Sequence, residues 1–187
     1  MSKINSKHNK IIVTGPVGAG KTTTIKTISD VAVVQTEAKA SDETREKKAN
    51  TTVAMDFGVI NLDDGNKIHI YGTPGQERFN FMWDILTKGS IGLIILVDAQ
   101  CKNVVDDLKF FLQQFAPMIE ETAVAIGVNK SGQGAISLAE LRKHMSPDQL
   151  KYPMFEVDAR NKTDVSMLIE ALLYTLNPCL MQVANGN

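Results

Sequence analysis

The run Gly15-Pro16-Val17-Gly18-Ala19-Gly20-Lys21-Thr22 matches the pattern G-x-x-x-x-G-K-[ST]. Glycines at these places let the backbone curl until its N–H groups converge on phosphate oxygens. A helix opening at Thr22 would aim its positive end at the same anion. In such a loop Lys21 neutralises the β and γ phosphates, the Thr22 hydroxyl is placed to ligate Mg²⁺, and Thr23 adds a contact to the α phosphate. The pattern needs a strand before it and a helix after it. The β-branched run Lys10–Thr14 and the stretch Thr22–Ile28, with Ile25 and Ile28 on one face, provide both.

The rest of the chain alternates in the same way. Thr52–Ile60 and Lys67–Tyr71 read as two strands joined by the turn Asp63-Asp64-Gly65-Asn66. Ile91–Val97 is apolar almost throughout, as expected of a strand covered on both faces. Val104, Leu108, Phe111, Leu112 and Phe115 recur at helical spacing, and Thr122–Val128 is another buried strand. Ser137-x-x-Glu140 is a capping box, and Ser146-Pro147-x-Gln149 predicts a second, shorter helix. Met154–Val157 is a last strand, and Val165, Leu168, Ile169, Leu172 and Leu176 form one face of a final helix. Strands alternating with helices predict an α/β three-layer P-loop NTPase fold. Its sheet is six-stranded and mostly parallel, with one antiparallel edge strand and helices on both faces. With 187 residues and no repeat or internal boundary, residues 1–187 read as a single domain whose core runs from about 10 to 176. Residues 35–50 show no clear element. Their charges (Glu37, Lys39, Asp42, Glu43, Arg45, Glu46, Lys47, Lys48) cancel. That segment reads either as a solvated loop or polar helix, or as a switch that orders on nucleotide.

Composition narrows the function by exclusion. A net charge of -1 carries no sign of nucleic-acid binding or of a polybasic membrane patch. The two cysteines, Cys101 and Cys179, suit a reduced cytoplasmic protein better than a disulfide scaffold. No apolar run reaches the ~20 residues of a membrane span. Ser2 stands where N-myristoylation needs glycine, and Cys179 lies too far from the C-terminus for prenylation, so no lipid anchor is expected. His8, His69 and His144 are scattered, and His69 alternates with Ile68 and Ile70 as a solvated strand face would.

Four further segments carry a resemblance. Tyr71-Gly72-Thr73-Pro74-Gly75-Gln76-Glu77-Arg78 resembles the D-T-A-G-Q-E segment of Ras-like small GTPases. Asn129-Lys130 is similar to the start of their N-K-x-D motif, Asp158-Ala159-Arg160 stands where they carry S-A-K, and Thr51-Thr52 precedes the second strand, where they have their switch threonine. The wording Thr52-Val53-Ala54-Met55-Asp56-Phe57-Gly58, with G-T-P-G-Q-E-R-F, looks closest to a bacterial and archaeal branch. That branch is related to the gliding-motility polarity switch and to proteins named after the signal-recognition-particle receptor β subunit.

The resemblance implies a switch that slowly hydrolyses GTP to GDP and phosphate with Mg²⁺. Gly75 would offer its N–H to the γ phosphate, and Gln76 would orient the attacking water. Thr22 and Thr52 would hold the metal, and Asn129, Lys130, Asp158, Ala159 and Arg160 would surround the base. A transition-state arginine would come from Arg78, Arg45 or a partner. Partners are expected to be regulatory proteins, either roadblock-fold or GTPase-activating and exchange factors. They would engage segments near Thr51–Asp56 and Gly75–Trp83, where Phe79, Phe81, Met82, Trp83, Ile85 and Leu86 are too many apolar residues for one helix face.

Two departures matter. Gly72 replaces the aspartate that holds Mg²⁺ through water, with Asp56 on the neighbouring strand as a substitute. Gly132 replaces the aspartate that grips guanine, which leaves base preference to Asn129 and the Ala159 N–H and suggests Gly132→Asp as a way to raise it. Two rival readings follow: a non-hydrolysing nucleotide-bound interaction module, and an ATP-binding P-loop protein.

Overall fold

The computed structural model describes residues 9–35, 55–63, 65–75 and 81–176, without the side chains of 81, 82 and 84. Thr51, Thr52, Gln76, Arg78, Phe79, Arg45 and Cys179 lie outside the described residues, as do the side chains of Phe81 and Met82.

The elements run β1 (Asn9–Thr14), α1 (Lys21–Ile28), β2 (Val34–Gln35), β3 (Asp56–Asn61), β4 (Lys67–Gly72), α2 (Phe81–Thr87) and β5 (Gly92–Asp98). They continue with α3 (Val104–Gln114), α4 (Ala116–Glu121), β6 (Ala123–Asn129), α5 (Leu138–Lys143), β7 (Met154–Val157) and α6 (Lys162–Leu176). The strands form one sheet in the order β2-β3-β4-β1-β5-β6-β7. Strands β4, β1, β5, β6 and β7 are mutually parallel, and β3 runs against both of its neighbours.

The sheet has seven strands rather than six. The additional strand is the two-residue β2, which pairs Val34 with Phe57 and Gln35 with Asp56. The reversed strand β3 is therefore covered rather than at the edge. Two residues are too short a run for periodicity to reveal, and their pairing comes only from the neighbouring strand.

Alternate residues of the central strands feed two apolar layers. Ile12, Leu93, Ile95 and Val97 pack with Trp83, Leu108, Phe111 and Phe115 on one side. Ile11, Val13, Ile94 and Leu96 pack with Ile25, Val165, Leu168 and Leu172 on the other. This two-sided burial is why β5 and β6 read as unbroken apolar runs.

Two helices differ from expectation. The α3 spacing extends through Phe115, but the helix stops at Gln114 and a separate six-residue α4 begins at Ala116, with Pro117 in its first turn. Proline has no N–H to continue the previous ladder. At Ser146 the backbone N–H does bond to Gln149 Oε1 at 3.0 Å, yet the segment closes as turns and does not propagate into a helix. One capped turn without an apolar face to bury is below the length at which helix persists. The capping box at Ser137 forms as expected, with Glu140 N–H donating to Ser137 Oγ at 3.1 Å.

Leu168 links α6 to the sheet and is wholly buried. Leu168→Ala should cost roughly 2–5 kcal/mol of unfolding free energy, measurable as a lower urea midpoint.

Candidate functional site

The sheet places the ends of β4, β1, β5, β6 and β7 along one edge, because those strands are parallel. Ligands of open α/β sheets bind beyond that edge. Because β3 is reversed, its first residue, Asp56, comes to the same edge, paired across from Gly72.

The phosphate loop joins β1 to α1. Gly20 caps α1 at φ 101°, a left-handed conformation that L side chains avoid. Lys21 is buried, and its ammonium donates to the carbonyls of Gly15 and Pro16, each at 2.7 Å. Burial lowers its pKa to about 8, with the Asp56 carboxylate opposing the shift. A bound anion would relieve that desolvation.

The Thr22 hydroxyl donates to Asp56 Oδ2 at 2.5 Å, and Gln35 Nε2 reaches Asp56 Oδ1 at 3.1 Å. A Cβ on Gly72 would lie 3.2 Å from Asp56 Cβ and 2.9 Å from Ile25 Cδ1. The space that a side chain at Gly72 would fill is thus taken by Asp56 from the neighbouring strand. Thr22 and Asp56 are hard oxygen donors, and Mg²⁺ is commonly held by one or two such groups together with substrate phosphates. Among the described residues no cluster of three or more His, Cys, Asp or Glu side chains could hold a metal by itself.

The segment after β4 lies against the phosphate loop. Thr73 N–H donates to the Val13 carbonyl at 2.9 Å, and the Thr73 and Thr14 hydroxyls share a buried 2.8 Å hydrogen bond. A Cβ on Gly75 would fall 2.6 Å from Lys21 Nζ and 2.8 Å from Val17 N, so only glycine fits there. Trp83 is 3% exposed and donates from its indole nitrogen to the Pro74 carbonyl at 3.3 Å. Its ring stacks on Phe115 at 5.1 Å and tilts against Phe111 at 5.5 Å. Of the apolar residues expected at a partner surface, Trp83 and Leu86 are therefore core, while Ile85 is exposed.

A cavity of about 620 Å³ adjoins the loop, with Gly18, Gly20 and Thr23 on one wall and Asn129, Lys130, Asp158, Ala159 and Arg160 on the other. The buried Asn129 amide donates to the Ala19 carbonyl at 2.9 Å and accepts from Ala159 N–H at 3.1 Å. Both groups expected to read the base are thus paired with each other. Lys130 adopts a left-handed φ of 61° and sends its ammonium to Asp98 Oδ2 at 2.5 Å. Asp158 is gripped by Arg160 through Nε and Nη2 at 2.9 and 2.7 Å. Gly132 sits at φ 147°. Its loop is shaped for glycine, so Gly132→Asp carries a strain of about 1–3 kcal/mol against folding.

Sequence reasoning missed Asp98, Asp164 and the Trp83–Pro74 bond. Asp164 accepts from Asp158 N–H at 2.9 Å. A charge ending the apolar run of β5 was the one available signal for Asp98.

Residues 13–183 match the family described as conserved hypothetical ATP binding protein. The chain belongs to that family. An uncharacterised protein of Methanocaldococcus jannaschii is 29% identical over 140 residues, which is 74% of this chain and 80% of that protein. The Ras-related protein RabC of Dictyostelium discoideum is 25% identical, over 88% of this chain and 81% of its own. A GTP-binding nuclear protein of Encephalitozoon cuniculi is 28% identical, over 95% and 81%. Together they make the chain a P-loop nucleotide-binding protein related to the Ras-like GTPases. Among the described residues, no helix is long and apolar enough to cross a membrane.

Two outcomes are expected. Asn129→Ala strands a buried carbonyl and a buried N–H, which should cost about 1–3 kcal/mol of stability and weaken nucleotide binding, read by thermal unfolding with and without nucleotide. Triphosphate affinity should also fall as pH rises through about 8, because free Lys21 loses the proton that the bound anion needs. The limiting slope is roughly tenfold per pH unit, seen by titration between about pH 7.5 and 9.5 and absent in Lys21→Met.

Proposed function

We propose that this protein is a GTP-binding switch that hydrolyses GTP slowly to GDP and phosphate. The observation that carries the proposal is the seating of Gly75 on the phosphate loop, against Lys21 and Val17, with Thr73 tied to the end of β1 at Val13 and Thr14. That contact supports the reading in which Gly75 meets an arriving γ phosphate and the chain after it responds to that phosphate. The names of two relatives, a Ras-related protein and a GTP-binding nuclear protein, support the same reading.

In this reading Lys21 offsets phosphate charge, Gly75 N–H contacts the γ phosphate and Gln76 orients the attacking water. Thr22, Asp56 and Thr52 would hold Mg²⁺, which would supply neutralisation of charge developing on the β and γ phosphates. Catalysis is positioning and electrostatic stabilisation with no covalent intermediate. A regulatory partner, of the roadblock-fold, GTPase-activating or exchange class, would read the segments around 51–56 and 75–83, with exposed Ile85 near its footprint. The wording of those segments supports the branch related to the polarity GTPases.

ATP as the nucleotide is the second reading. It is favoured by the family's description and by the glycine at 132.

Phosphate release under multiple turnover decides between them. Release from GTP is expected to exceed release from ATP, and faster release from ATP selects the second reading. No release from either nucleotide leaves an interaction module. Gln76→Leu should keep GTP affinity and slow single-turnover hydrolysis on the order of a hundredfold. Asp56→Asn should raise the Mg²⁺ concentration needed for half-maximal rate by roughly ten- to hundredfold.

A further inference from the structure

The polar groups around the cavity are mostly spent on the protein itself. Both ends of the Asn129 amide are engaged, and the Lys130 ammonium is on Asp98. The loop after β6 offers a glycine, Gly132, where a carboxylate would be needed to meet a base. Three carboxylates line the cavity from β7 and beyond. Glu156 accepts from Leu138 N–H at 3.3 Å, and Asp164 accepts from Asp158 N–H at 2.9 Å, so each fastens a neighbouring turn.

Asp158 differs from both. It is the first residue past β7, the strand beside β6, and the register Asn129↔Val157 brings the start of its loop level with the start of the Lys130 loop. Its Oδ1 accepts from Arg160 N–H and Nε–H, and its Oδ2 from Nη2. A carboxylate has about four lone-pair directions, so Oδ2 keeps one open. The Arg160 side chain is 82% exposed. An ion pair this exposed contributes little and is readily exchanged for another donor. An aspartate carboxyl is ionised at neutral pH with or without that partner, and the Arg160 hydrogen bonds only lower its pKa further.

We propose that Asp158 is the carboxylate that selects the purine base. It would accept from the adjacent N1–H and 2-amino donors of guanine, one in the open direction of Oδ2 and one in the place that the exposed Arg160 Nη2 gives up, where Gly132 offers no carboxylate. Guanine presents two neighbouring donors on that edge. Adenine presents an acceptor nitrogen and no amino group there, and a fixed carboxylate repels it. The inference rests on the GTP reading above and adds the residue that enforces it.

The test is titration of the full chain with GTP, ATP and XTP, for wild type and Asp158→Asn. The readout is the ratio of GTP to ATP affinity, in which a general loss of binding cancels. Wild type is expected to prefer GTP. Asp158→Asn should lower the ratio roughly ten- to hundredfold, as expected for hydrogen bonds to a charged group. It should also raise affinity for XTP relative to GTP, because an amide offers a donor to the 2-carbonyl of xanthine. A wild type that prefers GTP, with an unchanged ratio in Asp158→Asn, overturns the role of Asp158 and leaves the GTP reading standing. A wild type that binds GTP and ATP equally overturns both. If Asp158→Asn does not fold, Asp158→Glu keeps the charge but displaces the acceptor by one methylene. Its ratio should fall too, and an unchanged ratio overturns the proposal.

Discussion

The amide of Asn129 holds the nucleotide-facing edge together. Parallel strands fix where β1, β6 and β7 end, but the loops beyond them have backbone groups with no ladder to join. Asn129 donates to the phosphate loop at Ala19 and accepts from the β7–α6 loop at Ala159, both from a buried position. A side chain that donates at one end and accepts at the other is needed, and among small residues only an amide does this. The fit is close: a Cβ on Gly20 would fall 2.4 Å from Asn129 Nδ2. Thr27 adds a second tie, from α1 to the Ala159 carbonyl at 2.7 Å.

Around that brace the carboxylates of the edge are distributed unusually among strands. A position in a sheet is defined by space, and the residue that fills it can come from either of two paired strands. Asp56 reaches Thr22 from β3 because β3 is reversed, which brings its first residue beside the last residue of β4. The side chain at 72 must then be absent, since a Cβ there would crowd Asp56 and Ile25. The two positions are therefore a coupled pair, and neither glycine nor aspartate is explained alone.

Lys21 sets the electrostatics of this edge. Two carbonyls hold it in a desolvated place, at a cost that Asp56 partly offsets and that an arriving anion would offset further. Gly75 lies against the same ammonium, and Pro74 before it is tied to Trp83, which tilts against Phe111 of α3 and stacks on Phe115 just after it. A continuous path of packed groups thus runs from the phosphate loop into the core on one side of the sheet.

Much of the fold was legible because it depends on short-range pattern. Apolar runs bounded by turns located the central strands, helical spacing located α3 and α6, and G-x-x-x-x-G-K-T placed the loop between β1 and α1. The two-residue β2, the break at Phe115 and the stalled turn at Ser146 were not legible, because each depends on what lies beside it rather than on its own residues. The same division runs through the site. By itself the sequence determined the glycine-rich loop with its one lysine between β1 and α1, and it named Asn129 and Asp158 as residues of the edge. Only the tertiary structure decided what those residues touch. It placed Asp56 on Thr22, spent Asn129 on Ala19 and Ala159, and buried Trp83 beneath Pro74. Hydrogen bonds between residues more than a hundred positions apart, such as Asn129 to Ala19, leave no periodicity along the chain. They arise only when strand order brings distant loops to one edge.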